Sequence, residues 1–195
     1  MKLAVHRRLV LLILLVVAAG ALAMTGCGKS DEAPSPAPDY AKKLAGAPAP
    51  LASLYDQGNE LLPGGLDAYN DRIASLKGFP AVVNVWASWC GPCRAEFPYF
   101  QHLSADMGKR VAFLGVNSED DDDLAKNFMA DYPVPYPSYS DPNRDIAKEF
   151  GPPGLPRTVF YDSNGKLTYT HIGQFPDQES LEEAIQQYAV KGQTG

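Results

Sequence analysis

The chain has 195 residues, with 17 basic and 23 acidic side chains, a formal net charge of −6 and 45% hydrophobic residues. That length suits one globular domain with short appendages, and the acidic balance argues against a nucleic-acid binder or a protein held by charge on anionic lipid. Three cysteines are too few for a disulfide-stapled scaffold, so each is read for its chemistry.

At the N-terminus, Lys2, Arg7 and Arg8 precede an apolar run from Leu9 to Ala23. This pattern is a secretory leader, and the run is short of the roughly 20 residues that cross a membrane. Met24-Thr25-Gly26-Cys27 follows and resembles the lipobox of bacterial lipoproteins, which implies that residues 1–26 are removed and that Cys27 carries the lipid. Removing them leaves 14 basic and 23 acidic residues, a net −9. The compartment is then outside the cytoplasm, where disulfides persist. Residues 27–50 are rich in Pro, Ala and Ser and read as a semi-extended linker reaching some tens of Å, at about 3 Å per residue. Residues 51–195 remain for the folded domain.

Helical spacing predicts helices over Leu51 to Gly58 and Leu66 to Leu76, with Gly64-Gly65 as the break. Ala81 to Trp86 predicts a buried strand, Gly91 to Met107 a helix, and Val111 to Val116 a second strand, apolar as a parallel strand covered on both faces should be. Asp120 to Asp131 predicts a helix with acids in its first turn, where the helix dipole favours them. Asp120 to Asp123 lack the Gly and spaced ligands of a calcium loop. A short helix is expected over Asp141 to Phe150. Strands Arg157 to Tyr161 and Lys166 to Ile172 flank Asn164-Gly165, a hairpin turn signal. Ser180-Leu181-Glu182-Glu183 matches a capping box opening a last helix.

Trp89-Cys90-Gly91-Pro92-Cys93 stands between the first core strand and its helix. A sulfur at a helix N-terminus meets unpaired N–H groups and the positive end of the dipole, which favour the thiolate. A second thiol one turn on can attack a mixed disulfide formed by the first, so Cys90 and Cys93 form a reversible two-electron switch and no other cofactor is expected. A zinc site would need a second ligand pair. Glu96, one turn past Cys93, can take its proton or raise its pKa by like-charge repulsion. Asn84, six residues before Cys90, cannot titrate, and burying it calls for hydrogen-bond partners. Pro98 lies inside the predicted helix and should kink it. Trp86 reads as core, and Trp89 as an aromatic beside the site.

The strand–helix order, the terminal hairpin and helix, and the stretch from Val83 to Pro98 resemble the TlpA/ResA group of membrane-tethered thiol–disulfide oxidoreductases, over roughly residues 60–190. The resemblance implies an α/β thioredoxin fold, a central mixed sheet flanked by helices, with an N-terminal helical extension. It implies Cys90 as exposed nucleophile, Cys93 as resolving thiol, and Glu96 as the Glu of Cys-x-x-Cys-x-x-Glu-x-Pro. Pro156 matches the family's cis-proline beside the nucleophile. The backbone before it, at Leu155, would pair with substrate as an added strand, with Trp89 alongside. Arg157 stands where Thr often follows that proline; its cation could favour a Cys90 thiolate or simply face solvent, and the latter is expected.

The implied function is reduction of protein disulfides, fed by a membrane thiol donor and serving cytochrome c maturation, on a lipid-anchored extracytoplasmic protein. A thiol oxidase would share every one of these residues. A copper-assembly factor would use two cysteines and a distant His such as His171, but with three residues between the cysteines rather than two. A peroxidase of the peroxiredoxin type would need a Pro-x-x-x-Thr-x-x-Cys motif, which is missing around Cys90.

Overall fold

A computed structural model describes residues 37–195. The expected leader, Cys27 and the first part of the expected linker lie outside the described residues. Helices α1 (Tyr40–Leu44), α2 (Ala49–Tyr55) and α3 (Gly65–Ser75) lead into the sheet, with the two-residue strand β1 (Leu61–Leu62) between α2 and α3. Then follow β2 (Ala81–Trp86), α4 (Gly91–Met107), β3 (Ala112–Ser118), α5 (Asp122–Asp131) and β4 (Ser138–Asp141). A 3₁₀ turn (Ala147–Phe150), β5 (Arg157–Tyr161), β6 (Leu167–Ile172) and α6 (Gln178–Ala184) complete the chain, and α6 runs on into a π-helical segment, Ile185–Val190.

The six strands order as β1-β4-β3-β2-β5-β6. β1, β4, β3 and β2 run parallel, each joined to the next in sequence by a helix, whereas β5 and β6 return antiparallel as a hairpin. The asymmetry follows from connection length: Asp162 to Lys166 is a tight turn with Gly165 at φ +76°, which only an antiparallel pair can use.

Strand β2 is buried on both faces, and its alternation decides what each face holds. Val82 and Trp86 face a core built with Phe97 and Phe100 of α4, Phe128 of α5, and Leu181 and Ile185 near the C-terminus. Val83 and Val85 face a second core with Leu51 and Leu54 of α2, Tyr69 and Ile73 of α3, and Ile146. Asn84 has the parity of Val82 and Trp86, so it points toward the helix that carries the cysteines.

Several boundaries differ from the sequence reading. Tyr40–Leu44, placed in the linker by its Pro/Ala-rich neighbours, is helical and docked: Tyr40 Oη donates to the Pro133 carbonyl at 2.9 Å, and Lys43 pairs with Asp106. Most of Asp141 to Phe150 is not helix. Asp141 ends a strand, and its carboxylate accepts from the Ile146 and Ala147 amides, leaving one 3₁₀ turn. β4 escaped notice because Ser138-Tyr139-Ser140-Asp141 lacks an apolar pattern. The last helix starts earlier than its capping box suggested, since Asp177 supplies the cap oxygen to the Ser180 amide. α4 continues through Pro98 to Met107.

Candidate functional site

The loop after β2 delivers Cys90 to the first cap position of α4, with backbone still extended at φ −81° and ψ 105°. Its sulfur accepts from the Cys93 amide at 3.2 Å, so the sulfur takes the place of an oxygen cap. Pro92, in the first turn of α4, lacks only an amide that would have no helical partner there. Cys90 and Cys93 are joined as a disulfide with Cα atoms 5.3 Å apart. In this oxidised form Cys90 keeps 4% exposure and Cys93 none, so the residue expected as an exposed nucleophile is buried.

Two side chains brace the loop from below. Asp120 accepts from the Ser88 amide at 2.5 Å, the Ser88 hydroxyl at 2.8 Å and the Asn117 amide group at 2.8 Å. Arg94 donates to the Ser88 carbonyl at 3.1 Å while its guanidinium lies over the Phe128 ring. The sequence showed Asp120 only as one aspartate in a run of four, so this tie was missed; its neighbour Asp121 is the actual helix cap. Trp89 is 61% exposed, held by one bond from its indole N–H to the Glu119 carbonyl at 2.8 Å. Glu119 adopts a left-handed φ of +56° to present that carbonyl.

The Leu155–Pro156 bond is cis, the one such bond among the described residues. Val85 pairs with Arg157 in the antiparallel register, so Pro156 lies level with Trp86, at the end of the sheet from which the cysteine loop departs. Leu155 is half-buried, packed on both cores, and its amide and carbonyl pair with no other described residue. Those free groups offer an edge to an added strand.

Glu96, one turn past Cys93 on α4, is fully buried. Its Oε2 accepts from the Phe175 amide at 3.1 Å, and its Oε1 has no partner in the protein. Burial pushes its pKa up to about 8, the Phe175 amide opposing the rise. It belongs to a wider polar row. Asn84 lies across from Thr158, and Thr158 from His171, on adjacent strands. The Asn84 amide, the Thr158 hydroxyl, His171 Nε2 and the Tyr136 hydroxyl are all buried without a hydrogen-bond partner in the protein. Burial pushes the Tyr136 hydroxyl's pKa well up, and that hydroxyl faces Asn84 without closing a bond of good geometry. The expectation that Asn84 would be satisfied by neighbours therefore fails. Its cross-strand partners are Gly115 and Thr158, neither of which reaches it with a polar atom. Neither Tyr136 nor Thr158 carries a sequence signal, because strand register sets Thr158 between Asn84 and His171 and the loop before β4 supplies Tyr136. His171 stacks on Phe175 with ring centroids 4.0 Å apart. Among the described residues no group of three or more His, Cys, Asp or Glu side chains is placed to hold a metal ion.

Arg157 is 1% exposed, not solvent-facing. It has the parity of Val159, which sends it to the face opposite Glu96.

A mixed sheet of this order, with a disulfide capping the helix after its central strand and a cis-proline level with it, defines the thioredoxin-superfamily class of thiol–disulfide oxidoreductases. A model of the Redoxin family matches residues 44–185, and the chain belongs to that family. It is similar to the thiol:disulfide interchange protein DsbE of Pseudomonas fluorescens biotype C, 36% identical over 101 residues, covering 51% of this chain and 55% of that one. It is also similar to the thiol:disulfide interchange protein CycY of Rhizobium leguminosarum bv. viciae, 32% identical over 140 residues, covering 69% and 72%. The chain thus spans little more than half the length of the first relative and under three quarters of the second. Among solved structures it resembles the pneumococcal exposed lipoprotein thioredoxin Etrx1 from Streptococcus pneumoniae strain TIGR4, with TM-score 0.52 and 25% identity, covering 58% of this chain and 88% of that one.

Proposed function

We propose that the protein is an extracytoplasmic thiol–disulfide oxidoreductase that reduces disulfide bonds in other proteins, tethered to a bacterial membrane by lipid on Cys27. The observation that carries this reading is the Cys90–Cys93 disulfide at the cap of α4, level with a cis-proline whose preceding backbone is unpaired. In the reduced protein, the Cys90 thiolate attacks one sulfur of a substrate disulfide. The substrate S–S bond breaks, one substrate thiolate leaves, and a mixed disulfide forms. Cys93 then loses its proton and attacks Cys90 Sγ, closing the Cys90–Cys93 bond and releasing the second substrate thiolate. Two electrons pass to the substrate, and a membrane thiol donor must return them. Glu96, one turn from Cys93, is the nearest carboxylate in the chain's own helix to hold the proton.

The Gly91-Pro92 dipeptide between the cysteines is that of thioredoxin, with a potential of roughly −270 mV, and supports the reductive direction. The resemblance stated above supports apocytochrome haem-attachment cysteines as substrate. The lipobox-like segment and the similarity to a lipoprotein thioredoxin support the anchor. Equilibrating the purified protein with dithiothreitol redox buffers tests the direction. A potential below about −230 mV, with insulin reduced when a donor is supplied, is the expected result. A potential above about −150 mV would make the protein a disulfide donor instead.

A further inference from the structure

We infer that Arg157 is a positioning residue for protein substrates: its buried guanidinium holds the 151–154 loop so that the Leu155 backbone stands ready to pair with an extended peptide. This rests on the oxidoreductase reading above. Arg157 Nε donates to the Gly154 carbonyl at 3.3 Å, and Nη1 to the Ala147 and Gly151 carbonyls at 3.0 and 3.4 Å. Nη2 donates to the Pro152 carbonyl. No carboxylate among the described residues lies within ion-pair distance of it. A charge buried without a counter-ion persists only if its hydrogen bonds are met, and here the main chain meets them.

The loop has little else to hold it. Gly151, Pro152, Pro153 and Gly154 are all exposed, so no side chain anchors the segment in a core. The two prolines have no amide to donate, and the one other described bond of the segment runs from the Gly151 amide to the Lys148 carbonyl at 3.3 Å. Gly151 and Gly154 sit at φ +107° and +147°, which turn their carbonyls inward toward the guanidinium. The loop ends at Leu155 and the cis-proline. A guanidinium fork fixes four carbonyls at once, which an ammonium cannot do. Freed from it, the loop would have to be ordered anew for each extended substrate, and that entropy falls on peptide docking rather than on sulfur exchange.

The test compares wild type, Arg157→Lys and Arg157→Met, in the full chain, pre-reduced and freed of reductant. Single-turnover rates are measured on a small probe, hydroxyethyl disulfide, and on a disulfide-bonded peptide extended by several residues on each side. The expected result is a fall of about tenfold in the ratio of peptide to small-disulfide rate for both variants, carried by KM for the peptide. An unchanged ratio overturns the inference, whether or not both rates fall together. If neither variant folds, amide order parameters of the wild type decide: Gly151 and Gly154 as rigid as β5 support the clamp, and mobile ones overturn it. If the wild type reduces neither probe, the oxidoreductase reading fails instead.

Discussion

Burial inverts the usual behaviour of Glu96. Its pKa in the folded protein is raised from 4.5 to about 8, so the folded state binds its proton more tightly than the unfolded state. Its favourable contribution is present below pH 4.5 and is lost as pH rises through about 8. Glu96→Gln should therefore match wild type in stability near pH 4 and exceed it near pH 9, by no more than about 5 kcal/mol. Urea unfolding at the two pH values reads this directly. The same substitution should remove an inflection near pH 8 from the alkylation profile of Cys93 in the reduced protein, because an ionised neighbour no longer opposes the thiolate. Identical profiles with the fold intact would return Glu96 to a purely structural role. At this scale the sequence displayed the cysteines, Glu96 and Pro156, since each belongs to a local motif. It concealed the destination of Arg157. One residue type in one strand gives parity but not what covers that face, and four backbone carbonyls leave no trace in a sequence.

Elements bring together what motifs cannot. Trp86 donates its indole N–H to the Ser138 hydroxyl at 3.2 Å, across β3, and this bond passes over Gly115. A Cβ at Gly115 would collide with the Ser138 side chain and stand 3.1 Å from the Trp86 indole nitrogen. Gly115→Ala should cost about 1–3 kcal/mol in thermal or chemical unfolding and loosen the strand that leads to Cys90. An unaltered midpoint would show that β4 can shift freely. β2, β3 and α4 were legible because burial on two faces and a long helical repeat leave strong patterns. β1 and β4 were not, because Leu61–Leu62 is too short to show an alternation and Ser138–Asp141 is largely polar, so both are fixed by pairing rather than by composition. α1 was hidden for a related reason. Its five residues bury no side chain and hold by Tyr40 and Lys43 contacts to distant segments.

For the whole molecule, the proposed function needs a catalytic domain at the end of a tether. Among the described residues no helix is long and apolar enough to cross a membrane; the proposed attachment by lipid on Cys27 rests on the lipobox-like segment of the sequence. Cys27→Ala should leave the protein as uncleaved precursor or release it in soluble form, while exchange by the Cys90–Cys93 pair persists; fractionation of labelled cells, with mass spectrometry of the mature N-terminus, reads both. A mature chain cleaved beyond Cys27 and free of lipid would contradict the tether.

The proposed division of roles, Cys90 attacking and Cys93 resolving, rests on Cys90 capping the helix and being the one cysteine of the pair with any exposure. Its most direct test is mass spectrometry of mixed disulfides captured by Cys93→Ser and by Cys90→Ser in membranes. Cys93→Ser should accumulate partners bound through Cys90, and Cys90→Ser should trap few or none. Partners captured through Cys93 in Cys90→Ser, with none in Cys93→Ser, would contradict it.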